Sequence, residues 1–206
     1  LPLSELTSPA REIDRFDKYH QKIFAYRRTP FATILTARGC PFKCVFCSSP
    51  KYLTEIQGGK IRRHSIEWLD QELDFLVNQR GVKEVYFVDD TFNLGMNAVK
   101  AICDLIIAKY QGLLWSCNFE VNIASREMLE LMQRAGCWSI MIGAESGNQE
   151  ILDVIRKGIK LEQIKKVSNW AYELGLMGRA SFILGHPKET KETIAQTIAL
   201  AKEVSF

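Results

Sequence analysis

Three cysteines close together in the sequence are the residues with the clearest chemistry. Cys40, Cys44 and Cys47 form a C-x3-C-x2-C run. Thiolates are soft ligands that suit zinc and iron–sulfur clusters. Because structural zinc and most iron–sulfur clusters take four protein ligands, three thiolates leave one metal position open. An open position is where a metal centre can bind a substrate, so the run predicts a reactive centre.

Two other kinds of metal site also begin with clustered cysteines. A structural zinc site would need a fourth ligand, and His64 is the nearest histidine along the chain. An electron-transfer iron–sulfur module would need a fourth cysteine at short spacing, but the next one, Cys103, lies far beyond Cys47. Cys103, Cys117 and Cys137 stand alone in apolar segments, which is typical of small buried hydrophobic residues. The two alternatives stay open at this stage.

The composition is that of an ordinary globular protein. Hydrophobic residues make up 47% and charged residues 25% of the 206 residues, enough for one domain with a full core. The net charge of +3 gives no case for a nucleic acid partner, and no apolar run is long enough to span a membrane. Since such a core needs no disulfides, we expect free thiols and a reducing, cytoplasmic location.

Alternating strands and helices must position the cysteines. Residues 1–30 carry charges and three prolines without a clear period, which predicts a linker or arm. The strands that we predict after it cover 33–36, 85–88, 113–119, 139–142 and 181–184. The helices that we predict lie at 66–76, 99–106, 128–132, 151–174 (split in two) and 194–201. Strict alternation predicts a parallel sheet, in a doubly wound fold or a complete or partial (β/α) barrel.

Polar or glycine-rich residues follow every predicted strand. They are the three cysteines, then Asp89 and Asp90, then Asn118, Glu120 and Asn122, then Glu145, Ser146 and Gly147, and last Gly185, His186 and Pro187. The carboxyl ends of parallel strands meet at one edge or mouth, so we expect a single functional site there. His186 is a candidate group on the substrate side of that site.

The cysteine run, with Phe46 directly before its last cysteine, resembles the signature of the radical S-adenosylmethionine (SAM) superfamily. The resemblance implies that Phe46 contacts the cofactor. The resemblance implies a partial (β/α)6-type TIM-like barrel in which Cys40, Cys44 and Cys47 hold a 4Fe–4S cluster. It implies that SAM completes the cluster and is cleaved to a 5′-deoxyadenosyl radical, which abstracts hydrogen from a small-molecule or unknown substrate. An external one-electron donor of the flavodoxin or ferredoxin type is implied as well.

Further motifs extend the resemblance. Asp89 and Asp90 begin a D-D-x-F segment that resembles members with an upstream cobalamin-binding domain. There, backbone groups of Val88 and Asp89 are the implied contacts to the methionine amino group. Glu120 resembles a glutamate that binds the ribose hydroxyls of SAM in some members, a task that suits a carboxylate because it accepts two hydrogen bonds.

The last two predicted strands carry the remaining implied SAM contacts. Glu145 and Ser146 lie in a G-x-E-S-G segment, and relatives place a glutamate or glutamine there against SAM. Lys157 matches a basic position that pairs with the methionine carboxylate. Ser181 stands where some relatives carry a ribose-binding aspartate. Gly185 opens a G-x-P-x-E-T segment in which the backbone can approach the adenine.

The resemblance covers residues 31–204 and accounts for five of the six strand–helix units of the family core. We therefore expect residues 1–30 to be an arm from an upstream domain and residues 31–206 to be a radical SAM core truncated after the fifth unit. Full-length relatives perform methyl transfer, ring formation or methylthiolation, and the motifs do not choose among these reactions. They also leave open whether the full-length protein binds cobalamin. The alternatives are a methylthiotransferase-type radical SAM enzyme and a non-catalytic iron–sulfur or zinc module.

Overall fold

Seven strands and six α-helices form the part of the chain that the computed structural model describes, which is Leu3 and residues 9–11, 26–49 and 60–204. The strands are β1 (Phe31–Ile34), β2 (Ala37–Arg38), β3 (Arg62–Arg63), β4 (Glu84–Phe87), β5 (Leu114–Phe119), β6 (Cys137–Glu145) and β7 (Met177–Phe182). The helices are α1 (Ile66–Leu73), α2 (Met96–Lys109), α3 (Arg126–Arg134), α4 (Gln149–Val154), α5 (Leu161–Glu173) and α6 (Lys191–Glu203). A π-helical segment, Asp74–Gln79, extends α1, and a 3₁₀ turn, Val121–Ile123, follows β5.

The main sheet contains five parallel strands in the order β1-β4-β5-β6-β7. Neighbours in this sheet follow one another along the chain, whereas a doubly wound sheet reverses its order at a switch point. The structure therefore confirms the partial-barrel alternative. The antiparallel ribbon of β2 and β3 was not predicted, because two residues a strand are too few to show a period of two.

The prediction for the fifth strand was wrong by several residues. Residues 181–184 were predicted, but β7 covers Met177–Phe182, and Ile183 and Leu184 are exposed beyond its end. Among the described strands β7 pairs on one side only, with β6. It lacks the continuous apolar run of a strand buried on both faces, and it contains Gly178 and Arg179, so its pattern was hard to recognise.

Helix ends follow the local signals in the sequence. Ser65 and Ser125 cap α1 and α3, their side chains accepting hydrogen bonds from Trp68 N at 3.2 Å and Met128 N at 3.1 Å. Glycines with positive φ follow the π-helical segment and four of the helices: Gly81, Gly112, Gly136, Gly158 and Gly175. Four of these ends return the chain to the next strand within a few residues, whereas Gly158 leads from α4 into α5.

The core lies between the sheet and the helices. Phe87, Phe92 and Trp115 are almost fully buried, and their ring centroids lie 5.1 to 5.3 Å apart. Cys103, Cys117 and Cys137 are buried and unpaired, as predicted for small hydrophobic residues. Burial raises the pKa of the Cys103 thiol to about 12 and that of Cys117 well above its usual value, so these thiols remain protonated.

Parts of the predicted arm lie on this core, although residues 12–25 of it are outside the described residues. Leu3 is buried. The Arg11 guanidinium pairs with Glu72 at 2.7 Å and donates a hydrogen bond to the carbonyl of Thr33 at 2.7 Å. The boundary between arm and core stays a prediction. None of the described helices combines the length and the apolar character that crossing a membrane requires.

Candidate active site

The carboxyl ends of the five parallel strands form one mouth, which we call the barrel mouth, and the loops that follow them contact one another there. The loop after β1 is fixed by Asp89, which follows β4 and is fully buried. Its carboxylate accepts hydrogen bonds from the amide and the hydroxyl of Thr36 at 2.6 and 2.5 Å. Burial raises the pKa of Asp89, while the hydrogen bonds from Thr36 and Ala37 act to lower it. Thr36 therefore lies outside β1, where it starts the cysteine loop.

The three cysteines follow Thr36 in a tight loop at this mouth. Cys47 N donates to the carbonyl of Cys44 at 3.2 Å, which forms a turn, and Val45 N donates to the carbonyl of Ile155 at 3.0 Å. Cys44 is buried, Cys40 is partly buried and Cys47 is exposed. The loop is thus attached to the segment after α4, and its thiols range from the interior to the surface.

The donor set, three soft thiols in one loop, suits an iron–sulfur cluster. Among the described residues, no three Cys, His, Asp or Glu side chains converge closely enough to hold one metal ion. In a 4Fe–4S cluster each thiolate binds a separate iron, so its sulfurs need not share an ion. Burial raises the pKa of the Cys44 thiol, the Lys157 ammonium acts to lower it, and the Glu120 carboxylate acts to raise it. Lys157 therefore favours the thiolate, which is the form that binds iron.

A buried cation lies between two buried carboxylates beside the cysteines. Lys157 Nζ is 3.1 Å from Glu120 Oε2 and 3.8 Å from Glu145 Oε1, and all three side chains are over nine-tenths buried. We call these three residues the charge triad. Burial acts to lower the pKa of Lys157, but Glu120 and Glu145 outweigh it, so the pKa lies above its usual value. Burial raises the pKa of Glu145, and Lys157 acts to lower it.

The backbones of Glu120 and Glu145, the two acidic residues of the charge triad, are both constrained. Asn93, fully buried, accepts from Glu120 N at 2.8 Å and donates to the Glu120 carbonyl at 2.9 Å. Glu145 ends β6 with a φ of 62°, a left-handed conformation that is uncommon for a residue with a side chain. A register shift between Gly143 and Glu145 accompanies it. Such geometry persists where the surroundings enforce it, often at functional sites.

Two predicted contact residues on the β4 loop also lie at the mouth. Asp90 is exposed, and its carboxylate accepts a hydrogen bond from the hydroxyl of Ser49 at 3.0 Å. Val88 is 37% exposed, and its amide donates to the carbonyl of Ile34 at 2.9 Å. The carboxylate of Asp89 is used within the protein, so a ligand contact there would come from its backbone, as the sequence indicated. These contacts stay predictions.

The structure places Ser146 under a helix. Its hydroxyl lies 3.3 Å from that of Thr197 in α6 and accepts from Asn148 N at 3.2 Å. Any contact of Ser146 with a ligand would therefore involve its backbone. Ser181 is exposed on β7 and donates to the carbonyl of Ile142 at 3.4 Å. Both residues remain predicted contacts.

The loop after β7 reaches the cysteine loop. Gly185 has a φ of 92°, and its amide and that of His186 donate to the carboxylate of Glu189. The ring of His186 lies 5.7 Å from that of Phe46, centroid to centroid. His186 is 7% exposed, and within the described part of the chain its Nε2 atom has no hydrogen-bond partner. Phe46 and Gly185, both predicted to contact SAM, are thus brought to the same side of the mouth.

Sequence reasoning missed the residues that hold the site together. Thr36, Thr91, Asn93 and Thr197 each bond a predicted site residue, but as isolated threonines or an asparagine they carry no distinctive spacing. Position in the chain offered one clue, because Thr91 and Asn93 lie one and three residues after Asp90. Asn122, which was noted at a strand end, donates to the carbonyl of Gly158 at 3.1 Å.

Comparison with known proteins finds relatives that match most of this chain. An uncharacterized methyltransferase of Pyrococcus horikoshii is 37% identical over 99% of this chain and 42% of its own length. An anaerobic magnesium-protoporphyrin IX monomethyl ester cyclase of Rubrivivax gelatinosus is 29% identical over 81% of this chain and 30% of its own. The chain therefore spans less than half the length of these curated relatives.

The fold matches a solved radical SAM methyltransferase, TsrM from Kitasatospora setae, with a TM-score of 0.75. The match covers 84% of this chain and 34% of TsrM at 21% identity, which shows a common fold. The model of the radical SAM superfamily matches residues 34–201, from the end of β1 to α6, and so includes the cysteine loop and the charge triad. The chain therefore belongs to the radical SAM superfamily, as its sequence predicted, and is the core of an enzyme of the class that uses a 4Fe–4S cluster and SAM.

Proposed function

We propose that Cys40, Cys44 and Cys47 hold the 4Fe–4S cluster at the barrel mouth and that SAM binds beside it, against the charge triad. The observation that carries this proposal is the buried Lys157 between two carboxylates, close enough to Cys44 to influence its pKa. A buried charge is costly unless it serves as a partner for another group. When bound, the cluster supplies the electron for the reductive cleavage of SAM.

The charge triad suits the polar groups of SAM. Lys157 would bind the methionine carboxylate as a point charge. Glu120 would accept hydrogen bonds from the two ribose hydroxyls. Glu145 would keep Lys157 in place, because its carboxylate lies on the other side of the ammonium group. Seven further residues would contact SAM, most of them through the backbone: Phe46, Val88, Asp89, Asp90, Ser146, Ser181 and Gly185.

For the complete protein we propose radical methyl transfer to a carbon atom of a small molecule, with cobalamin as a further cofactor. The methyltransferase relative matches 99% of this chain, and TsrM has been solved with cobalamin and a 4Fe–4S cluster bound. Ring formation is the second candidate, because the cyclase relative is 29% identical. Passage of a carbon-13 methyl group from SAM to added cobalamin in the complete gene product would favour methyl transfer over ring formation.

A small electron-transfer protein of the flavodoxin or ferredoxin type is the partner that this chemistry needs, and we propose a cytoplasmic location. The exposed position of Cys47 supports the first proposal, because a cluster bound there would lie near the surface and within reach of a donor. The six free cysteines support the second, because unpaired thiols persist in reducing compartments.

Anaerobic reconstitution with iron and sulfide tests the core of this proposal. After reduction with titanium(III) citrate, the protein should convert SAM to 5′-deoxyadenosine, which chromatography detects. Cys44→Ala should lose both the brown absorbance and this product. The matched control, Cys103→Ala, should keep both, because Cys103 is buried in the core away from the mouth. A stable cluster without SAM cleavage, or cluster loss in Cys103→Ala alone, would contradict the proposed function.

A further inference from the structure

The loop after β4 contacts the cysteine loop at two points, one at the first cysteine of the metal-binding run and one just after the last. Asp90 accepts a hydrogen bond from the hydroxyl of Ser49, just beyond Cys47. The hydroxyl oxygen of Thr91 lies 3.5 Å from the sulfur of Cys40, within hydrogen-bond range for sulfur. Of these two contacts, the second involves an atom that would bind iron.

We propose that Thr91 donates a hydrogen bond to the Cys40 thiolate and thereby sets the reduction potential of the cluster. This inference rests on the proposed function, because it assumes that Cys40 binds iron. Between two neutral side chains either group could be the donor. Once the thiol has given up its proton to bind iron, the Thr91 hydroxyl is the only proton donor of the pair.

The position of Thr91 makes this hydrogen bond hard to replace. Thr91 is 5% exposed, so bulk water does not have free access to its hydroxyl. Its β-branched side chain restricts χ1, which limits the positions that the hydroxyl oxygen can take. The sulfur of Cys47 differs, because that residue is exposed and solvent can reach it. Cys40 thus has a donor fixed by the protein, whereas the sulfur of Cys47 is open to solvent.

Neighbouring residues hold Thr91 in place. Phe92 is buried against Phe87 and Trp115, and its amide donates to the carbonyl of Asn118 at 3.0 Å. Before Thr91, the carboxylate of Asp89 is bound to the start of the cysteine loop. The residues before and after Thr91 are therefore fixed, which keeps its hydroxyl next to Cys40. A group that sets the reduction potential of a cluster needs such a fixed position.

The expected effect has a definite sign. A reduced cluster carries one more negative charge than an oxidised one, so a hydrogen bond to its ligand sulfur stabilises the reduced form more. Hydrogen bonds to the sulfurs are among the factors that set cluster potentials. Removing the Thr91 hydroxyl should therefore make the cluster harder to reduce, and the midpoint potential should shift to a more negative value.

An anaerobic redox titration of the reconstituted protein tests this inference. Titanium(III) citrate supplies one electron per cluster, and electron paramagnetic resonance measures the fraction reduced. Thr91→Val keeps the shape but removes the hydroxyl, and its midpoint should be more negative than that of the wild type. Thr91→Ser restores the donor and should return the midpoint most of the way. Thr33→Val, an exposed change on β1, is the control and should leave the midpoint unchanged.

The possible failures are distinct. A wild-type protein that binds no cluster would contradict the proposed function itself. A loaded Thr91→Val protein with the wild-type midpoint would overturn the role of Thr91 alone. If Thr91→Val does not bind a cluster, Thr91→Ala takes its place with the same expectation. If neither variant is loaded while Thr91→Ser is, the hydroxyl serves assembly of the site, and its role in setting the potential is refuted.

Discussion

At the scale of single residues, the charge triad is a buried group of one cation and two carboxylates. Lys157 is the cation of a group whose three side chains have almost no contact with solvent. Each charge is tolerated because of the others, since the attraction within such a group offsets the cost of removing it from water. The triad should therefore be sensitive to the loss of any one member.

Replacing Lys157 by methionine leaves Glu120 and Glu145 buried with no cation between them. We expect the free energy of unfolding to fall by about 3–5 kcal/mol near neutral pH, the usual cost of breaking a buried pair. Urea unfolding followed by tryptophan fluorescence measures this loss. Lys160→Met removes an exposed lysine that lies 3.9 Å from Asp153, and as the control it should cost no more than about 1 kcal/mol.

The loss in Lys157→Met should depend on pH. Burial already raises the pKa of Glu145, and removal of the lysine should raise it further. A carboxyl with a raised folded-state pKa stabilises the fold below its unfolded pKa and loses that effect as pH rises through the folded value. The variant should therefore be less impaired at about pH 5 than at about pH 8. Equal losses at both pH values would contradict the assignment of two buried carboxylates.

The sequence predicted residues that belong to a local motif, but it did not predict contacts between residues that lie far apart along the chain. Glu120, Glu145 and Lys157 were each suggested by a motif, but the motifs did not indicate that the three side chains touch. An ion pair between residues 120 and 157 forms only when the barrel brings β5 and the end of α4 together. Thr91 and Asn93 went unnoticed because a lone hydroxyl or amide acquires a role from its neighbour in space.

At the scale of elements, the contact of α6 with the end of β6 decides how the mouth is closed on that side. Gly147 lies directly under α6, and its amide donates to the Thr197 hydroxyl at 2.9 Å. A Cβ placed on Gly147 would lie 2.6 Å from the Cα of Thr197, too close for any side chain. The final glycine of the G-x-E-S-G segment therefore allows a helix to approach, in addition to any role near SAM.

Gly147→Ala should push α6 away from β6. We expect the free energy of unfolding to fall by about 1–3 kcal/mol, the usual cost of overpacking. Hydrogen exchange should show lower protection of the amides of α6. Gly81→Ala is the control, because it adds the same methyl group where no atom lies within 4 Å, though with a φ of 67°. Backbone strain should cost Gly81→Ala some stability, but the protection of α6 should stay unchanged in that variant. If the protection of α6 were equal in the two variants, the packing role of Gly147 would be refuted.

Helices and strands were predicted best where their own residues determine them. Ser65 and Ser125 cap their helices through hydrogen bonds to amides three positions further on, a purely local relation. The bounds of β7 were missed because Gly178 and Arg179 suit a strand with one paired edge and not a strand buried on both sides. The β2-β3 ribbon depends on the pairing of Ala37 with Arg63, which local patterns do not contain.

At the scale of the whole molecule, the candidate active site lies at one end of the barrel, and a group of residues that serves stability lies at the other. Glu84, at the amino end of β4, is fully buried. Its carboxylate accepts hydrogen bonds from the amides of Arg27 and Arg28 at 2.7 and 2.8 Å and from the indole of Trp138 at 2.9 Å. In barrels of this type, residues at the amino ends of strands serve stability and those at the carboxyl ends serve catalysis.

Glu84→Gln should therefore lower stability and leave the site intact. An amide offers one acceptor oxygen to three donors and no charge, so we expect a loss of about 2–4 kcal/mol in the free energy of unfolding, measured with urea. The control, Glu130→Gln, changes an exposed residue 3.0 Å from Arg126 and should cost less than about 1 kcal/mol. A shifted cluster potential in Glu84→Gln would argue against this separation of the two ends.

The space above Gly143 has a consequence for the charge triad. A Cβ there would lie 3.0 Å from Lys157 Nζ and still closer to Glu145 Oε1. The ammonium and carboxylate groups occupy room that the chain leaves free by carrying only a hydrogen at position 143. A methyl group at position 143 would take up the space that these two side chains occupy, and it would permanently displace the ammonium and carboxylate groups from their present positions. The charge triad thus depends on a neighbour that has no side chain.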